Sequence, residues 1–253
     1  MFRPRIIPVL LLKDEALVKS VQFKNHNYIG DPINAVRIFN DLRADELVFL
    51  DIEASKQGRL ISLDFVRDVG EEANMPFAVG GGIKTIEDIK SIINAGAEKV
   101  IINTSAFTNP NFIREAANYF GSSTIVVCID VKKKLFKGYQ SWSLNGSKSS
   151  GFSPIETAKK MEELGAGELI IQSIEKDGMM SGYDIELIKS ISDAVSIPVV
   201  ALGGAGRITD LKEAHNEGFA SAVAAGSIFV YQGTKKGVLI NYPETGEVNF
   251  SRI

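Results

Sequence analysis

Eight short apolar runs rich in Val and Ile recur along the chain, at about 5–12, 46–52, 76–80, 98–103, 124–131, 168–174, 197–202 and 221–226. They lack the strict alternation of half-exposed strands, as buried parallel strands do. Helical patterns follow most of them. Leu60, Leu63, Val66 and Val69 stand three apart, and Ile185, Leu187, Ile188 and Ile191 share one helical face. Asp31-Pro32 and Ser153-Pro154 each place a capping side chain before a proline in the first helical turn. Ser153 and Glu156 also make a capping box. Strand, loop and helix alternate about eight times, which predicts an α/β fold with a closed (β/α)8 barrel. A doubly wound open sheet is the alternative.

The pattern also repeats. Pro76-Phe77-Ala78-Val79-Gly80-Gly81-Gly82 matches Pro198-Val199-Val200-Ala201-Leu202-Gly203-Gly204 at an offset of 122 residues (198 − 76). The same offset lays Glu46–Glu53 on Glu168–Glu175, and Val100–Phe107 on Ala222–Phe229. Four units per half favour closure over an open sheet, so residues 1–253 are expected to form one barrel from half-barrels of about 1–123 and 124–253. The eighth unit is the exception. After Phe229 the stretch Tyr231-Gln232-Gly233-Thr234-Lys235-Lys236-Gly237 is short and glycine-broken, which predicts a truncated eighth helix and an irregular tail. Two long loops, 13–30 and 132–150, follow the first and fifth strands. The second contains Asn145-Gly146, a hairpin turn signal. Both fall at the C-terminal face, where barrels of this kind carry their sites.

Bulk properties exclude several classes. The chain has 253 residues, 45% hydrophobic and 23% charged, and its net charge of −3 gives no reason to expect a nucleic-acid partner. Cys128 is the only cysteine, which rules out disulfides within the chain and points to a reducing cytoplasm. His26 and His215 lie far apart in sequence, so no metal site is expected, and no motif calls for a cofactor. The apolar run ending at Leu12 is too short to span a bilayer and lacks a small-residue cleavage site, so no membrane association is expected.

Glycine at a strand end lets backbone N–H groups approach a phosphate, and a helix N-terminus adds favourable potential. Gly81 and Gly82 end the third strand, and Asn103 and Thr104 end the fourth, forming one candidate cradle. Gly203 and Gly204 end the seventh, and Ala225, Gly226 and Ser227 end the eighth, forming a second. A single Gly-Gly pair would mean only a tight turn. Two copies, each beside a small strand end, favour phosphate and a ligand with an anionic group at each end.

Asp130 ends the fifth strand, between the cradles, where it could act as general acid or base or merely cap a loop. Aligning the first and fifth strands lays Lys13 on Lys132 and Leu11 on Asp130. Leucine neither gives nor takes a proton, so a symmetric carboxylate pair is missing its second member. Asp51 and Asp177 are further acidic groups near the mouth; beside Gly178, Asp177 could equally cap its own loop. Lys19 could bind an anion or be solvated.

These residues resemble the cyclase subunit of imidazole glycerol phosphate synthase, from residue 3 to Phe229. The shared motifs include Arg5-Ile6-Ile7, Lys13-Asp14, Gly30-Asp31-Pro32, Asp45–Ile52, Val79–Ile83, Ile102-Asn103-Thr104, Gly165–Glu168, Asp177-Gly178 and Gly203–Gly206. The resemblance implies a barrel of the ribulose-phosphate-binding type. It also implies a glutaminase partner at the N-terminal face, ammonia passing through the barrel, and cleavage and cyclisation of a bisphosphate ribulosyl substrate at the C-terminal face. It implies phosphate binding by Gly82, Asn103 and Thr104 at one end and by Gly178, Gly204, Ala225 and Gly226 at the other. Asp130 is then the general acid, and Arg5, Glu46, Lys99 and Glu168 form a charged ring through which ammonia enters. The family's general base falls at Leu11. Gln172 and Leu202 stand in place of small hydroxyl residues, Gly226 in place of serine, and the last helix is lost.

That combination resembles an offshoot of the family associated with surface-polysaccharide sugars. There a glutaminase-like partner and a separate ATP-dependent amidotransferase help convert an acetamido group to an acetamidino group. Three functions follow: an ammonia-channelling subunit for sugar amidination, an authentic histidine-pathway lyase, or a non-catalytic scaffold for the glutaminase.

Overall fold

Each apolar run becomes a barrel strand in the computed structural model, which describes residues 3–135, 138–233, 235–244 and 246–250. The eight strands are Arg5–Lys13, Leu47–Asp51, Phe77–Gly80, Lys99–Ile102, Ile125–Lys134, Glu168–Ser173, Val199–Leu202 and Ala222–Ala225. All eight pair in parallel with their sequence neighbours, and the last pairs with the first, Arg5 opposite Ala222. The barrel is closed, and the open-sheet alternative falls. The repeat is written into the register: Leu47 lies opposite Phe77, and 122 residues on (169 − 47) Leu169 lies opposite Val199. The bond from Leu47 N to Pro76 O has its counterpart in the bond from Leu169 N to Pro198 O.

Side chains alternate across a strand. One set packs outward against the helices, where Phe39, Phe49, Val66 and Ile129 are fully buried. The other set fills the interior with Ile7, Val9, Val48, Ala78, Ile101, Val126, Cys128, Ile170, Val200, Ala222 and Ala224, with Leu11 and Leu50 packed against it. The same alternation runs from Arg5 through Ile7 and Val9 to Leu11, so the charged bottom and the leucine at the top sit on one inner face.

The caps form as the sequence predicts. Asp31 Oδ1 accepts from Asn34 N at 2.8 Å, and Ser153 and Glu156 complete their capping box. The Leu60–Val69 pattern is shifted: the helix covers Leu63–Glu72 with Ser62 as its cap, and Leu60 precedes it. Short helices Ala54–Gln57 and Thr104–Thr108 were not predicted.

The two long loops are antiparallel extensions of the sheet. After the first strand, Ala16–Val21 folds back on the strand's end and pairs with Lys24–Gly30. After the fifth, Gly138–Ser143 pairs with the strand and with Lys148–Ser149. Asn145-Gly146 lies within that second turn, at φ of 54° and 68°, as the turn signal requires. The eighth helix is a single turn, Ser227–Val230. The tail then returns to the start of the first strand, where the Tyr242 hydroxyl donates to Ile6 O at 2.9 Å and accepts from Asp45 N at 3.1 Å. Thr234, in the predicted tail, and Met1 lie outside the described residues.

Candidate active site at the barrel mouth

The first cradle is built where a side chain would not fit. Gly81 and Gly82 have φ of +143° and +71°, and a Cβ on Gly82 would overlap the Arg59 carbonyl oxygen. Asn103 reaches across to the fifth strand, its Nδ2 donating to Cys128 O at 3.0 Å. Thr104 follows at the start of its short helix. We expect Gly82→Ala to destabilise the protein by about 1–3 kcal/mol, because both the left-handed backbone and the clash oppose it. Chemical denaturation checks this, and an unchanged midpoint would contradict the close approach.

The second cradle has the same parts and less room. Gly203 and Gly204 have φ of +93° and +114°, and a Cβ on Gly204 would overlap Gly182 O. Ala225, Gly226 and Ser227 complete it. Lys19 is buried above Gly226, so that a Cβ there would run into its ammonium, which donates to Val9 O at 2.7 Å. A serine at 226 would displace that lysine. Burial pulls the Lys19 ammonium down to about 8, with Asp177 opposing the fall. The cavity at the first cradle is about 110 Å³ and that at the second about 30 Å³. Leu11 and Gln172 line both, so the two cavities adjoin.

Asp130 lines the first cavity and pairs in register with Gln172, and it is 6% exposed. Its Oδ1 faces the Cys128 thiol at 3.8 Å. Burial raises its carboxyl from 3.8 to about 7, the Cys128 hydrogen bond opposes the rise, and Asp177 adds to it. A carboxyl that holds its proton near neutrality can donate one. No second carboxylate faces it from the first strand, where Leu11 lines the same cavity.

The remaining acidic residues are already engaged. Asp51 accepts from the N–H groups of Glu53 and Ala54 and pairs with Arg59 at 2.5 Å, so it caps its loop while lining the first cavity. Asp177 does more than cap. It accepts from Ser20 Oγ at 2.7 Å, Phe23 N at 3.3 Å and Gln172 Nε2 at 3.3 Å, tying the first hairpin to the sixth-strand loop. A Cβ on Gly178 would overlap Ser20 O, which fixes the glycine beneath that hairpin. Ser20 carried no signal in the sequence, because its partner Asp177 lies 157 residues along the chain; Arg59 and Cys128 have near partners, Asp51 and Asp130, but neither belongs to a motif that announces the pairing.

At the opposite end the four ring residues meet. Arg5 bonds Glu46 through Nη1 and Glu168 through Nη2, and Lys99 Nζ stands 3.1 Å from each of the same two carboxylates. Burial pulls the Arg5 guanidinium down, but Glu168 and Glu46 outweigh it and hold it above its ordinary value. Two cations and two anions thus satisfy one another across the floor of the barrel.

Residues 5–236 match the family model described as histidine biosynthesis protein. A protein of Leptospira borgpetersenii, provisionally named imidazole glycerol phosphate synthase subunit HisF, is 48% identical over 244 residues, 96% of each chain. A Pseudomonas aeruginosa protein, provisionally named as the subunit hisF2, is 45% identical over 98% of this chain and 99% of its own. The imidazole glycerol phosphate synthase subunit HisF of Alkaliphilus metalliredigens is 45% identical over 91% of this chain and 92% of its own.

Proposed function

The chain belongs to the histidine biosynthesis protein family, and from that premise we propose that it is an ammonia-channelling subunit. A glutaminase docks on the N-terminal face in the cytoplasm, and its ammonia enters through the Arg5, Glu46, Lys99 and Glu168 ring. The ammonia crosses the barrel and leaves at the C-terminal mouth for amidination of a nucleotide-linked or surface-polysaccharide sugar. An ATP-dependent amidotransferase completes that transfer. The cradles hold a phosphorylated ligand, the first through Gly81, Gly82, Asn103 and Thr104.

The observation that carries this reading is the contrast between the two ends of one inner face. At the bottom the ring is complete, each anion bridged by two cations. Buried ion pairs add little stability over apolar packing, so a fourfold charged floor favours a role beyond folding. Above it the interior is apolar, with small side chains at Ala78, Ala222 and Ala224. At the top, acid–base chemistry is half-equipped: Asp130 has Leu11 across the cavity.

Mixing the chain with its glutaminase partner is the deciding experiment. Glutamine hydrolysis rises on mixing if the conduit is real; no stimulation would sink the reading and leave the scaffold. Lys99→Ala is expected to lower the share of glutamine-derived nitrogen reaching the acceptor, with the barrel still folded, since Arg5 continues to bridge both carboxylates. Following ¹⁵N from labelled glutamine against unlabelled ammonium checks this, and unchanged transfer would count against the gate.

A second reading, an authentic lyase, draws on the Asp130 carboxyl, which keeps its proton to about 7 beside an open phosphate cradle.

A further inference from the structure

The loops over the mouth form one surface. The tip of the first hairpin reaches the sixth-strand loop, where Gln22 N donates to Asp177 O at 2.9 Å and Gln22 Nε2 to Glu175 O at 3.0 Å. The second hairpin reaches the second-strand loop through Asn145 Nδ2 to Ile52 O at 3.4 Å. These contacts hold the rim around the cavity.

That rim is basic and apolar along the extended fifth strand, while the sixth-strand loop beside it carries Glu175 and Asp177. Lys132, Lys133 and Lys134 extend the fifth strand beyond the barrel, and none forms an ion pair among the described residues. They are held in place all the same. The Lys132 and Lys134 ammonium groups share one face of the strand, 5.6 and 5.0 Å from the centre of the Trp142 ring, while Lys133 lies on the other face, 5.1 Å from that of Tyr139. Cation–π contacts fix these long side chains before any partner arrives, which lowers the entropy lost on association. Leu135, next along the chain, is 83% exposed; elsewhere Phe152 is 58% exposed, Met179 after the sixth strand 47% and Tyr28 on the first hairpin 70%. The chain as a whole carries a net charge of −3, so this positive stretch is a local feature.

Resting on the function proposed above, we infer that this rim is the docking surface for the enzyme that consumes the ammonia, a protein presenting carboxylates and apolar side chains around its own entrance. Ammonia released at an open mouth would be protonated and lost to water, so the acceptor must seal against the exit. Unpaired, pre-positioned lysines fit acidic residues, and exposed aliphatic and aromatic side chains fit an apolar interface core. A nucleic acid or an anionic membrane would also meet lysines. The exposed Leu135 next to the lysines and the overall negative charge favour a protein.

The test uses the full chain with its glutaminase and the purified sugar amidotransferase of the same organism. Lys132→Glu with Lys134→Glu, and separately Leu135→Asp, should weaken binding of the amidotransferase about tenfold and lower ¹⁵N transfer from labelled glutamine when unlabelled ammonium competes. Stimulation of the glutaminase, at the opposite face, should stay at the wild-type level, and melting curves should confirm that both variants fold. Wild-type affinity and transfer in both variants would overturn the docking surface. So would binding of the wild-type chain to anionic lipid vesicles or a DNA duplex, lost in the variants, with amidotransferase binding intact. Absent glutaminase stimulation in the wild-type assembly would instead overturn the channelling function itself.

Discussion

Given the bisphosphate ribulosyl substrate of the family's cyclases and saturating ammonium salt, this chain should turn over about 10²–10⁴-fold more slowly than a cyclase with a carboxylate in place of Leu11. The reason is positional. Arg5, Ile7, Val9 and Leu11 alternate onto the inner face of the first strand, and Leu11 reaches the cavity that Asp130 also lines. A leucine there removes the proton acceptor and occupies its volume. Neither nearby carboxylate is free to replace it, although His26 lines the same cavity. Asp51 is held by two backbone N–H groups and Arg59, and Asp177 is held by Ser20, Phe23 and Gln172. Leu11→Asp should recover part of the lost rate, and only part, because Lys19 above Gly226, together with Gln172 and Leu202, leaves the second cradle narrow. Product formation by the unaltered chain within tenfold of an ordinary cyclase would overturn this reading and return the protein to the lyase class. Imidazole product is followed directly by absorbance or chromatography.

Much of the barrel was legible because buried parallel strands leave a strong mark. Eight Val- and Ile-rich runs and a repeat of 122 residues (198 − 76) fix strand number, order and closure together. The cradles were legible too, since only glycine tolerates the backbone at Gly82 and Gly204. The first hairpin was not. Its turns are made by Asp14-Glu15 and Gln22-Phe23, all at positive φ between 49° and 62°, with neither the glycine nor the asparagine that usually announces such a turn. Its outer strand, Lys24-Asn25-His26-Asn27-Tyr28, is polar and mostly exposed, so no apolar period marks it. The contacts that hold the mouth were equally hidden. Ser20 to Asp177 and Asn145 to Ile52 join distant residues by single bonds, and only the fold brings them together. The burial of Lys19 was hidden for the same reason: a lysine in a loop is ordinarily solvated, and this one is covered only because Gly226 leaves a space beneath it.

Asp130→Asn should make the protein more stable at pH 8 by about 2–4 kcal/mol, and by much less at pH 4. The sign follows from the direction of the shift. Burial raises the folded carboxyl from 3.8 to about 7, so between those values the folded state holds a proton that the unfolded state releases. Stability therefore falls as pH rises through this window and levels off above it, where the folded protein must keep a buried carboxylate charged. Asparagine has a similar shape and does not titrate, so the variant escapes the fall. Asp177 and Lys19 are also shifted by burial, and Asp177 adds to the rise at Asp130, so the wild-type curve alone would mix all three. Subtracting the variant's curve from the wild type's isolates the Asp130 contribution. Urea unfolding of both proteins from pH 4 to 8 supplies the two curves. Parallel curves would show that the fold does not hold the Asp130 proton, and the residue would lose its claim as a general acid. Diverging curves would show a group kept in its acid form at a cost in stability, with Leu11 rather than a carboxylate lining the cavity with it. A mouth that retains a buried acid but faces it with leucine is poorly equipped to cyclise a substrate, as the proposed channelling function requires.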